Sequence, residues 1–126
     1  MAENIPYKTY FEKVQWYLRQ IDDISIFIES TPIMSKKTKR KLQTMMKNLK
    51  ESLSQDCKIA SSVRKMKGMA PEEGKFYLAT LEAKAKLKVR SNSDPIRSNW
   101  FSHLHDCRYI FQGYLDYLSS MFKEIY

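Results

Sequence analysis

Glycine and proline are scarce in this 126-residue chain, at three and four residues, which excludes collagen-like, low-complexity and turn-dense all-β architectures. Cysteine is scarcer still. Cys57 and Cys107 close at most one bridge, an economy that fits a reducing compartment and a cytoplasmic protein better than a secreted disulfide scaffold. Long apolar runs are missing: the patch Ile24 to Ile28 is interrupted by Ser25, so no membrane span is expected, and the opening MAENIPYKTY does not read as a signal peptide. Also absent are a glycine-rich phosphate loop, a Gly-x-Ser-x-Gly elbow, Cys-x-x-Cys and His-Glu-x-x-His motifs, and the Glu-x-x-His pairs of di-iron bundles. No cofactor and no metal are expected.

What is present is material for a core. Hydrophobic residues make up 43% of the chain and include sixteen aromatics and seven methionines, enough at this length to bury roughly two thirds of the unfolded chain's surface without metal or disulfide support. The expectation is a single all-α domain over residues 1–126, a compact antiparallel bundle of about four helices. Tyr7, Tyr10, Phe11, Val14, Tyr17, Leu18, Ile21, Ile24 and Ile28 recur at spacings of three and four and form the inner stripe of a first helix, with Pro6 in its first turn. Ser30, Thr31 and Pro32 break it. A second helix is predicted from an N-cap at Ser35 to about Met66, with Leu42, Met46, Leu49, Leu53, Cys57, Ala60 and Val63 inward and Gly68 as its stop.

A third helix opens at Ala70-Pro71-Glu72-Glu73, with proline and two carboxylates in the first turn and Leu78, Leu81 and Ala85 as its stripe. Ala83 to Arg90 alternates apolar and basic residues with the period of a strand. The helix-forming strength of Ala, Lys and Leu and the lack of a partner strand favour helix there. Asp94-Pro95 then reads as an N-cap followed by proline, starting a fourth helix with Ile96, Trp100, Leu104, Cys107, Phe111, Tyr114, Leu118, Phe122 and Ile125 inward. Trp16 and Phe27 fall on the outer side of the first helix, and Tyr109 faces away from the fourth helix's stripe. These three are the candidate protein-interface residues, for a homodimer or another partner.

The charge of +8 is concentrated. Residues 35–68 carry eleven basic and two acidic side chains and no aromatic. On one helix Lys36, Arg40, Lys47, Lys58 and Lys65 share a side, with Lys50 close by, opposite the apolar stripe, and Lys37 completes the candidate polyanion-binding set. A stripe from Lys36 to Lys65 would run about 43 Å, long enough to track phosphates over roughly a turn of duplex. Being lysine-rich, it suits backbone contact more than base reading. The cluster Lys36-Lys37-Thr38-Lys39-Arg40-Lys41 equally suits nuclear import, an acidic protein surface or anionic lipid.

A second pattern lies in Arg97-Ser98-Asn99-Trp100-Phe101-Ser102-His103. The Arg-x5-His spacing resembles the Arg-x4-6-His motif of HEPN-domain ribonucleases, small helical bundles with a composite site across a dimer. The resemblance covers seven residues and implies metal-independent RNA cleavage by Arg97 and His103, with Asn99 as a polar helper. Positions six apart do not share a helix face, so convergence would need a symmetric dimer or a late helix start. The ordinary reading of His103 is a core-edge histidine with a structural hydrogen bond. His103 and Cys107, at i and i+4, are too few to make a structural metal site. The residues therefore point first to a non-enzymatic binding module, a nucleic-acid-associated accessory or regulatory protein. The alternatives are an interaction or inhibitor module with an acidic partner, and the HEPN-like ribonuclease.

Overall fold

The computed structural model describes residues 6–31 and 33–121. The chain is all-α: α1 (Pro6–Ser30), α2 (Lys36–Ala60), a single turn α3 (Val63–Met66), α4 (Pro71–Lys86) and α5 (Trp100–Met121). Cross-contacts give the register. Tyr17 Oη donates to Asp56 Oδ2 at 2.5 Å, while the Lys41 ammonium lies 5.1 Å from the Phe27 ring centre, so α1 and α2 run antiparallel. Tyr17 stacks on Phe111 at 4.9 Å and Asp22 accepts from Arg108 Nε at 2.8 Å, which sets α5 antiparallel to α1. Tyr114 Oη donates to the Glu72 carbonyl at 2.6 Å, and His103 Nδ1 lies 3.1 Å from the Lys86 carbonyl, so α4 and α5 are antiparallel too. Helix α4 packs against α1, α2 and α5.

Local chemistry places most helix ends. Ser35 is extended and its side chain accepts from Thr38 N, capping α2. Pro71 sits in the first turn of α4 with Glu72 and Glu73. Gly68, at φ +87°, takes the left-handed conformation that ends α3 and that a side chain would strain.

The core contains Val14, Tyr17, Ile21 and Ile24 from α1, Leu42, Met46, Leu49 and Leu53 from α2, Phe76 from α4, and Trp100, Leu104, Cys107, Phe111 and Leu118 from α5. Each large aliphatic side chain buried this way contributes about 1.5 to 3 kcal/mol. Among the described residues no buried side-chain polar atom lacks a partner, and Thr80 satisfies its hydroxyl on the Tyr77 carbonyl at 2.6 Å. The expected stripes of α1, α2 and α5 hold, with Tyr10, Phe11 and Ala60 partly buried at the margin. The side chains of Tyr7 and Val63, and residues Pro32, Phe122 and Ile125, lie outside what is described.

Four expectations are corrected. The second helix does not reach Met66. It ends at Ala60, where Ser61 Oγ donates to the Lys58 carbonyl at 2.8 Å and Ser62 Oγ accepts from Lys65 N at 3.3 Å. The two serines offer the backbone local partners that compete with the helical ladder. On α4 the stripe Leu78, Leu81, Ala85 faces outward, and Phe76, Tyr77, Ala79, Thr80 and Ala83 are buried instead. Phe76 finds a ring cluster with Tyr10 at 5.1 Å and Tyr114 at 6.0 Å, and the small residues beyond it let α2 and α5 approach.

The segment Ala83 to Arg90 is helical only to Lys86. From Leu87 to Arg90 burial alternates, with Leu87 and Val89 inside and Lys88 and Arg90 outside, as the period-two pattern implies, although no strand is present among the described residues. The last helix starts late, at Trp100 and not after Pro95. Asp94 Oδ1 accepts from Ile96 N and Arg97 N at 2.9 and 3.0 Å and so caps an isolated turn. Asn99 then takes φ 50°, and its side chain accepts from Ser102 N at 3.4 Å to open α5. Ile96, expected inward, is consequently 51% exposed.

Candidate polyanion interface

Because Leu42, Met46, Leu49 and Leu53 turn one side of α2 into the core, its lysines are forced onto the remaining surface. Lys36, Lys37, Arg40, Lys47 and Lys58 are exposed along α2. Lys65 is exposed as well, but it belongs to α3, beyond the Ser61-Ser62 break. The stripe therefore is not continuous to residue 65. Lys50 plays a different part, since its ammonium donates to the Val89 carbonyl, and burial, with Lys84 nearby, lowers its pKa from the ordinary lysine value. Lys39 is paired with Asp94 at 2.7 Å.

These contacts tie α2 to the segment after α4. Gln43 Nε2 adds two donations, to the Asn92 and Ser93 carbonyls at 3.1 and 3.2 Å. With Val89 held by Lys50, the exposed Lys88 and Arg90 on either side of it are fixed beside α2. Lys84, also exposed, joins them from the last turns of α4. Two basic rows far apart in sequence thus lie together. Between α2 and the loop that follows Arg90 is an open basin of ≈ 340 Å³ lined by Arg40, Gln43, Thr44, Lys47, Ser91 and Asn92. Among the described residues no carboxylate pairs with Arg40, Lys47, Lys88 or Arg90. Two free cations over hydroxyl and amide groups match what a phosphate oxygen needs.

Sequence reasoning missed Lys84, Lys88 and Arg90. Their signal was the run of basic residues alternating with apolar ones from Lys84 to Arg90, in which the apolar Leu87 and Val89 are the buried ones and the basic residues stay exposed.

Asp94 stabilises this end of the face. The Lys39 ammonium and the backbone N–H of Arg97 lead the contacts that hold its carboxyl down to about 2. That lies below the ordinary value of about 3.9, so its contribution is complete above about pH 4 and is lost as pH falls toward 2. Asp94→Asn is expected to flatten the stability profile in that window. Urea midpoints between about pH 5 and 2.5 test this, and an unchanged acid profile would refute it.

The remaining candidates are dispersed. Arg97 is exposed in the turn before α5, and His103 is half-buried one helical turn inside α5, engaged with the Lys86 carbonyl. That bond ties α5 to the end of α4, the structural role expected of a core-edge histidine. Asn99 serves as the cap of α5. Cys107 is fully buried and its thiol is pushed up to about 12 by burial, which makes it an inert apolar side chain at neutral pH. Among the described residues no three His, Cys, Asp or Glu side chains are grouped to hold a metal ion.

Of the interface aromatics, Tyr109 is 75% exposed. Trp16 and Phe27 do not stand on an outer face; both pack partly buried against the core, Trp16 edge-on to Tyr17 at 5.2 Å and Phe27 under Lys41. The cause is that α1 contacts α2 as well as α4 and α5, so it is covered on more than one side. No helix among the described residues is long and apolar enough to cross a membrane. In comparison with known proteins, no family description, no curated protein and no solved structure matches the chain.

Proposed function

We propose that the protein is a non-enzymatic binding module that grips a nucleic-acid backbone, in an accessory or regulatory role, through the composite basic face. The observation that carries this reading is the docking of the Val89, Asn92 and Ser93 carbonyls on Lys50 and Gln43, which holds the segment bearing Lys88 and Arg90 against α2. A preorganised cation array loses less side-chain freedom on binding than scattered lysines do. The face is rich in Lys, which suits phosphate contact over base reading. The proposed setting is the cytoplasm, a reading supported by the two free, buried thiols of Cys57 and Cys107.

The test is fluorescence anisotropy with labelled duplex DNA and single-stranded RNA across about 50 to 300 mM salt, with six phosphate contacts giving a log–log slope of about −5 on duplex. The RNA is checked for integrity afterwards. Intact RNA with salt-steep binding supports the proposal. Cleavage that disappears in Arg97→Ala and His103→Ala would replace it with the ribonuclease reading. Absence of binding at about 150 mM salt would overturn it and hand the face to an acidic protein partner.

A further inference from the structure

Helix α4 is apolar on two sides, and only one of them is used within the chain. Phe76, Ala79 and Ala83 are buried, while Leu78 and Leu81 are 46% and 39% exposed. Leu78 lines a groove of ≈ 340 Å³ between α4 and α5, whose other walls include Tyr109, Ile110, Gly113 and Tyr117. Gly113 is unexplained by the chain's own packing. It lies inside α5 without a positive φ, and a Cβ there would meet nothing within 4 Å. Glycine weakens a helix interior relative to alanine, and the open space above Gly113 leaves room for another backbone to approach α5 closely.

The rim of the groove says what approaches. Lys75 lies at one end, its ammonium 4.9 Å from the Tyr117 ring centre, and Glu82 stands two helical turns further along α4. Leu78 and Ala79 are midway between them in sequence. Two copies of α4 laid antiparallel about a two-fold axis at that midpoint would bring Lys75 opposite the partner's Glu82, twice over. That is the self-complementarity an isologous dimer requires. A second copy of a chain with charge +8 is repelled at the α2 face, and the charge-balanced groove is where it can dock. We infer that the α4–α5 groove is a homodimer interface, with Leu78 and Tyr109 as its apolar anchors. This inference does not depend on nucleic-acid binding.

The test is sedimentation velocity of the full chain at about 150 mM salt over roughly 1 to 200 µM. A concentration-dependent shift from monomer to dimer is expected, and Leu78→Lys and Tyr109→Ala are each expected to weaken association by about tenfold or more. Lys75→Glu alone and Glu82→Lys alone should each weaken it, because like charges then meet across the axis, and the double exchange should restore it. Gly113→Ala should raise the melting temperature of the monomer yet loosen the dimer, a split that no purely internal role produces. Monomer throughout the range overturns the inference. So does a dimer indifferent to Leu78→Lys and Tyr109→Ala, or a charge exchange without rescue when circular dichroism shows each variant folded.

Discussion

Replacing Trp100 with alanine is expected to destabilise the protein by about 3 to 5 kcal/mol, a large share of the roughly 5 to 15 kcal/mol that holds a domain of this kind folded. Trp100 is 0% exposed at the first turn of α5. Its indole N–H donates to Ser93 Oγ at 2.9 Å and its backbone N–H to the Pro95 carbonyl at 3.1 Å. Truncation removes the ring's burial, opens a cavity, and leaves the Ser93 hydroxyl without that donor. The neighbouring residue supplies the control. Phe101 is 42% exposed, so Phe101→Ala should cost well under half as much. Urea unfolding of both variants reads the contrast as a shift in midpoint. Equal losses at the two positions would mean that the start of α5 is out of register with the core.

The second large effect concerns binding. Changing Arg40, Lys47, Lys88 and Arg90 together to glutamine should flatten the salt slope on duplex DNA by about 3 to 4 and lower affinity on the order of 10³-fold at 0.1 M salt. All four side chains are exposed, so helicity and urea midpoint should stay close to the parent's. A matched variant with Lys58, Arg64 and Lys65 changed to glutamine removes three cations beyond or beside the Ser61-Ser62 break. It should cost much less than its share of the charge. Losses proportional to charge in both variants would reduce the composite face to a matter of net charge and remove the role given to the Val89–Ser93 docking.

Wherever the determining chemistry is local, the sequence announces the structure. Ser35 and Pro71 act on residues within three or four positions and place their helix starts as read, whereas Gly68, expected to stop the second helix, follows the separate turn α3. The stripes of α1, α2 and α5 are legible because each has one dominant apolar side. Helix α4 defeats the same reasoning: it has an apolar side to bury and another to show, and periodicity does not rank them. The choice is made by Tyr10 and Tyr114, which reach Phe76 from 66 and 38 positions away in sequence. The basic face follows the same rule. Its α2 row is visible in composition, whereas the row at Lys84, Lys88 and Arg90 joins it only through contacts such as Lys50 to Val89, 39 residues apart.

The stretch from Leu87 to Arg90 leaves the helix without joining a sheet: Leu87 sits at φ −85° and ψ 71°, and the chain bends at Val89. Backbone outside a helix offers unpaired groups to another chain, and natural proteins discourage such pairing with lysine and by covering the free backbone. Both devices are present here. The Val89 carbonyl is taken by Lys50, and Lys88 and Arg90 flank it in solvent. An incoming strand would have to evict an ammonium and settle between two like charges. The cations that hold the α2 face together therefore also guard the chain against recruitment into intermolecular β-structure, a protection that weakens whenever Lys50 lets go.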